Sequence, residues 1–383
     1  MKRKIIIIGG GASGIACALR LKSNNPKIDC LILEQNPRIG KKILKTGNGR
    51  CNISNLGVSP ANYNQPEFVS ECLKRFSVND LVSFFQRFGL LLRSDEAGRL
   101  YPYSDYANTV VDVLLHSIKN LGLEVLCDQR VKKVRKNNGF EVSTDVSTFQ
   151  SDILVFSTGS LAQERTNGYE ILRDLGHTVT DLEPGLVPLK TKENLSSLKG
   201  IKVKCRARLL SRGKVMMEED GEILFKERGL SGILSMNLSR RAQAGDVVSL
   251  DLFPETDILP FLKNASEEKG PEEALLGMLP KMLAFEVLRR NPDRDMNGIH
   301  ATLKDLRFHV EGKYGFDAAQ ITLGGVAIEE INPDFSSKKD GDLYVVGEVL
   351  DVDGECGGFN LHFAWMSGIL AADAISERFE KNL

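Results

Sequence analysis

Gly9, Gly11 and Gly14 follow a β-branched run and precede an apolar pattern of helical period, an order that suits a backbone built to approach a diphosphate. The first glycine permits a tight turn and the second leaves room for a pyrophosphate. The third lets the helix pack closely on the strand, and phosphate charge then falls on the helix N-terminus. Ala12 and Ser13 lie within the same turn. Glu34, followed by Gln35, stands 20 residues beyond Gly14 at the end of the next apolar run. A carboxylate there accepts hydrogen bonds from ribose hydroxyls and repels a 2′-phosphate, which disfavours NADP and leaves FAD and NAD.

The other end of the chain chooses between them. In LYVVGEVLDVDGECGGFNLHFAWMSG, Gly347 and Glu348 follow a buried run, and Asp353, Gly357, Gly358, Phe359 and Asn360 lead into a helical pattern. Carboxylates suit ribityl hydroxyls, and a helix N-terminus suits the N1–C2=O edge of a flavin, whose reduced form is anionic. The implied cofactor is FAD. A third segment, GKKILKTGNGRCNISN, sets Lys42, Gly49, Arg50, Cys51 and Asn52 in a basic, glycine-bearing run able to fold over an anion. A fourth, VFSTGS, ends an apolar run at Thr158 and Gly159, where backbone can pass the adenosine side. Val131 completes the candidate cofactor contacts.

These segments need elements to hold them. Residues 4–14 read as strand and turn, 13–23 as helix and 29–33 as a second buried strand, together a βαβ unit with a right-handed crossover. Helices are expected over 68–92 and 107–121, then a small hairpin and a buried strand between 124 and 156. Beyond 185–191 the stretches KVKCRARLL, KVMMEEDGEILF and VVSLDLF alternate with period two. After Pro254 the period becomes helical, with Leu275, Leu276, Leu279, Leu283 and Leu288 near one stripe interrupted by Pro280. A last helix is expected over 360–374. The reading is an α/β fold formed by both chain ends: residues 1–188 and 320–383 make the FAD-binding domain. Within it are inserted an antiparallel β unit (189–253) and a helical stretch with return (254–319).

At these residues the sequence resembles the bacterial NAD(P)/FAD-dependent oxidoreductases whose members are aminoacetone oxidase-like or bile-acid reductase-like. GGGASGIACALRL, TGNGRCNISN, YPYSDYANTVVDVL, GLSG, ITLGGVAIEEINP and GEVLDVDGECGGFNLHFAWMSG carry the resemblance over nearly the whole chain. It implies a glutathione-reductase-type FAD-binding Rossmann domain interrupted by a β-barrel-like and a helical subdomain, with substrate entering between them. It also places Ser13, Glu34, Arg50, Cys51, Asn52 and residues 353–360 around FAD. Phe359 and His362 depart from the family's usual Tyr and Gln, and Lys226 and Ile233 from its usual Thr and Pro.

The implied activity is hydride transfer between flavin N5 and a small organic substrate, of amine-oxidase or enone-reductase type, with oxygen or NAD(P)H as partner. No second GxGxxG follows a strand between 60 and 330, so NAD(P)H is expected only as a transient reductant. No residue is assigned as catalytic; Tyr101, Tyr103 and Asp105 are candidates for the substrate side. Cys51, Cys356 and His362 read first as packing residues. Two other classes share the motifs, a flavin-binding sensor and a nucleic-acid-modifying flavoprotein. Fifty Lys and Arg against 51 Asp and Glu speak against the second. Seven scattered cysteines without CxxC argue against a disulfide scaffold or metal site, and no apolar run reaches bilayer length. The expected setting is cytoplasmic. Oligomeric state is left open.

Overall fold

The computed structural model describes residues 4–380 and divides into two compact units, residues 1–183 with 321–383 and residues 184–320. The first unit is organised by a five-stranded parallel sheet. Its strands are β1 (Lys4–Ile8), β2 (Asp29–Leu33), β3 (Glu124–Leu126), β4 (Ile153–Phe156) and β5 (Leu343–Val345), in spatial order β5-β4-β1-β2-β3. Ile5 lies opposite Cys30 and Ile153, and Leu154 opposite Leu343. Ile5 to Ile8 are all buried, as parallel strands covered on both faces require. Parallel pairing puts the ends of β1, β2, β4 and β5 on one edge of the sheet, where doubly wound folds bind ligands.

Two helices frame that edge, α1 (Ala12–Asn24) and α2 (Phe359–Glu380), and they pack on one another. Their approach is set by Gly368: a Cβ there would lie 2.1 Å from the Ser13 carbonyl oxygen. The last helix starts one residue before the expected 360 and runs past 374. The expected single helix over 68–92 is two, Pro66–Arg75 and Val78–Arg87. Phe76 is extended, and Ser77 starts the second helix by exchanging hydrogen bonds with Asp80, a capping box inside an otherwise continuous apolar period. Leu92, the expected end of that helix, instead opens the strand Leu92–Ser94. The expected hairpin is a three-stranded antiparallel sheet, Val131–Asn137, Gly139–Thr144 and Thr148–Ser151.

In the second unit six strands close a barrel in the order Leu189–Thr191, Gly229–Ser231, Lys214–Lys226, Lys202–Ser211, Val247–Asp251 and Leu306–Lys313. Alternate residues such as Ala207, Leu209, Val248, Leu250, Phe308 and Val310 fill it. The sixth strand falls in the stretch read as helical and return. It pairs with residues 189–191 and 247–250 after three intervening helices, Leu259–Leu276, Lys281–Arg290 and Met296–Lys304. The expected leucine stripe is divided between two of these helices, so Leu275, Leu283 and Leu288 are buried while Leu276 is exposed.

Candidate functional site

The turn after β1 is shaped by close backbone approach. A Cβ at Gly9 would sit 2.3 Å from the Ser157 carbonyl oxygen, and one at Gly14 would sit 2.1 Å from Gly9 O. Gly11 is different. It caps α1 at φ −85°, which any residue adopts, and nothing in the protein lies within 4 Å of where its Cβ would point. No internal contact demands a glycine there. The space left open lies beside the first-turn amides of α1, which lack intrahelical acceptors and suit an anion. Gly49 and Gly159 likewise face open space.

Glu34 closes the next corner. It is buried, and its carboxylate accepts from Gly10 N at 2.7 Å and from Asn36 N and Nδ2 at 2.8 and 2.7 Å. A carboxylate offers about four acceptor positions, so room remains for a ribose hydroxyl. Gln35 donates to the Arg165 carbonyl, and Val131, at the head of its strand, accepts from Asn167. Thr158 follows β4, and its hydroxyl is buried with no hydrogen-bond partner among the described residues.

The carboxy-terminal loop meets the amino-terminal one at several points. A Cβ on Gly347 would strike Ser13 Oγ at 2.4 Å, and Gly347 N donates to Ser367 Oγ. Lys42 Nζ lies 2.6 Å from Glu348 Oε2, and the other Glu348 oxygen accepts from Thr322 N at 3.3 Å. Asn55 Nδ2 donates to Gly357 O at 3.1 Å, and Tyr63 OH to Phe359 O at 2.9 Å. Gly358, at φ +100°, places its would-be Cβ 2.4 Å from Ser54 O and 2.7 Å from Asn52 Oδ1. That Asn52 oxygen is itself buried without a partner among the described residues. The segment 47–51 reaches this contact through a run of left-handed residues, Gly47, Asn48, Gly49 and Cys51. Arg50 is exposed and lies over Tyr101. Asn360 is engaged locally: its amide is closed on Gly354 N and O and on Glu355 O. Asp353 O and N pair with Asn64.

Three ionisable groups here, His362, Cys51 and Tyr169, are held neutral. Burial lowers His362 to about 4, with Ser54 Oγ 2.9 Å from Nδ1, and pushes the Cys51 thiol up to about 12. Tyr169 is raised first by burial and then by the Glu348 and Asp351 charges. Sequence reasoning had no signal for Tyr169, Thr322 or Tyr63. Thr322 acts through its backbone amide, and Tyr63 reaches α2 only by tertiary contact.

The open glycine positions, the helix N-termini and the unpartnered polar atoms fit a dinucleotide carrying a flavin. Residues 3–374 match the HI0933-like protein Rossmann domain. The chain belongs to that family. It is a flavoprotein oxidoreductase with FAD as cofactor. Family relatives include the 3-dehydro-bile acid delta(4,6)-reductase of Clostridium scindens, 33% identical over 98% of this chain and 99% of the relative. The ribosomal RNA dihydrouridine synthase of Escherichia coli is 32% identical over 94% of this chain and 95% of its own length. Among solved structures, an open flavocytochrome c3 fumarate reductase superposes with TM-score 0.51 at 14% identity, covering 98% of this chain and 78% of that one. The 3-ketosteroid delta1-dehydrogenase of Sterolibacterium denitrificans gives 0.50 at 12%, covering 98% and 99%. At such identities these two share the fold alone. Among the described residues no cluster of three metal-ligating side chains occurs, and no helix is long and apolar enough to cross a membrane.

Proposed function

We propose that this protein is an FAD-dependent reductase of carbon–carbon double bonds conjugated to a carbonyl, acting on a small-molecule enone. One observation carries the reading: two full-length relatives have named substrates that differ in size and polarity but share one reactive group. A 3-oxo steroid with delta(4,6) unsaturation and the C5=C6 bond of uracil are both alkenes activated by an adjacent C=O. Such an alkene accepts hydride at its β-carbon and a proton at its α-carbon.

In this reading the turn from Gly9 to Gly14 takes the pyrophosphate and Glu34 the adenosine ribose. Residues 347–360, with Asn52, take the ribityl and pyrimidine portions. Bound FAD would supply the hydride there, with a reduced nicotinamide as its transient electron source. Lys42 neutralises Glu348 at the junction of the two loops, while His362 and Cys51 contribute no charge. A cytoplasmic setting fits seven free cysteines.

The test is anaerobic turnover of the FAD-loaded protein with NADH or NADPH. A 3-oxo-4-ene steroid, cyclohexenone and a uridine-containing RNA serve as separate acceptors, with product mass as readout. A gain of two hydrogens on the steroid or cyclohexenone supports the reading. A gain on RNA alone would move the substrate to nucleic acid. Peroxide released from a primary amine under oxygen, with no alkene reduced, would overturn it.

A further inference from the structure

We propose that Tyr101 is the proton donor of this reduction, with Arg50 positioning its phenol; the inference rests on the conjugated-carbonyl reading above. Tyr101 lies on the strand Arg99–Pro102 and is only 4% exposed. Arg50 Nη2 donates to its hydroxyl at 3.3 Å, and the guanidinium carbon sits 4.3 Å from the ring centroid. Accepting from Arg50 leaves the phenol's own hydrogen available, and among the described residues it meets no protein acceptor. A buried phenol with a proton to give and a cation at its oxygen is equipped to protonate a carbanion.

Its place follows from how closely the neighbouring loop residues approach one another. A Cβ on Gly47 would lie 3.5 Å from Tyr101 Cε1 and 2.7 Å from Asn52 N, and Asn52 Oδ1 lies 2.7 Å from the corresponding position on Gly358. Gly358 immediately precedes α2, the helix whose N-terminus suits the flavin edge. The left-handed run from Gly47 to Cys51 thus bends the chain around the Tyr101 ring and back to the cofactor loop.

The step balances as follows. Bound reduced FAD would supply hydride to the substrate β-carbon, the alkene electron pair would move toward the carbonyl oxygen as an enolate, and the Tyr101 O–H proton would pass to the α-carbon. The tyrosinate, held by Arg50, is reprotonated from water on the exposed side of the guanidinium. Two electrons leave the cofactor and are restored by the nicotinamide.

The experiment uses FAD-loaded full-length protein reduced with dithionite and mixed anaerobically in D₂O with a 3-oxo-4-ene steroid. Flavin reoxidation is followed by stopped flow, and the face of deuteration at the α-carbon by NMR. Tyr101→Phe should slow reoxidation by roughly 100-fold or more while FAD content stays unchanged. The residual product should carry deuterium on both α-faces, where wild type labels one. Arg50→Lys, at an exposed position that tolerates change, should slow the step by roughly tenfold, because a lysine cannot stack on the ring. Reoxidation within about threefold of wild type in both variants, with one-face labelling kept, would overturn the proposal and leave the reading standing. If reduced wild type is reoxidised by neither the steroid nor uridine-containing RNA, reading and proposal fall together.

Discussion

Replacing Glu34 by Ala separates two roles that sequence spacing presents as one. The carboxylate is expected to hold the ribose, yet it already accepts from the buried Gly10 amide and from both Asn36 donors. Removing it strands Gly10 N, at about 1–3 kcal/mol for an unsatisfied buried group, and adds a smaller loss at Asn36, whose groups can reach water. The apoprotein should therefore lose roughly 2–4 kcal/mol, which for a domain of this size lowers Tm by roughly 4–16 °C. FAD should bind roughly 10- to 100-fold more weakly, from the loss of a hydrogen bond to a charged acceptor. Calorimetry of apoprotein across an FAD titration reads both quantities, since bound ligand stabilises the fold by RT ln(1 + [L]/Kd) and raises Tm accordingly. An apoprotein Tm within about 1 °C of wild type would refute the structural role. An unchanged Kd would refute the ribose contact.

Two further outcomes are expected from the carboxy-terminal loop. Gly358→Val should purify without yellow colour, because its Cβ would meet backbone at 2.4 Å in a left-handed conformation that a β-branched residue resists; normal flavin absorbance would count against the loop contact. His362 has its folded-state value lowered from 6.5 to about 4 by burial, so the native state binds fewer protons than the unfolded one. Its contribution is fully present above pH about 6.5 and is lost as pH falls toward 4, by about 3 kcal/mol. His362→Gln should flatten that part of the Tm–pH curve, and equal acid slopes in variant and wild type would show that the histidine does not titrate with unfolding.

The parts of the fold that sequence reveals are those written locally. β1, the glycine turn, α1 and β2 are legible because a β-branched run, three glycines and a carboxylate occur within 31 residues. The break at Ser77 was legible too, as Ser-x-x-Asp, but an apolar period on both sides masks it. The barrel's sixth strand is hidden for a different reason: its partners precede it by more than 50 residues, and three helices intervene. At the site, the residues from Gly9 to Gly14 and Glu34 emerge from spacing, whereas the Lys42–Glu348 pair joins positions 306 residues apart. Asn360 shows the opposite limit. A motif places it beside the cofactor, but its amide is already closed on Gly354 and Glu355, so its evident work is to shape the loop.

The charges that remain around these loops point to the kind of transition state they suit. His362, Cys51 and Tyr169 are each held neutral by burial. Lys41 faces Glu164 at 3.8 Å and Lys42 faces Glu348 at 2.6 Å, so both cations are matched by carboxylates. Arg50 pairs with no carboxylate among the described residues, and its partner is a phenol. A cation beside a phenol gains most from negative charge that develops during reaction rather than from charge already present in the substrate. An enone becoming an enolate supplies such charge. An amine losing hydride develops positive charge instead, which the same cation would oppose. Under the proposed reaction, Arg50→Glu should therefore depress alkene reduction far more than it weakens FAD binding, and an amine substrate improved by that change would reverse the proposal of reaction type.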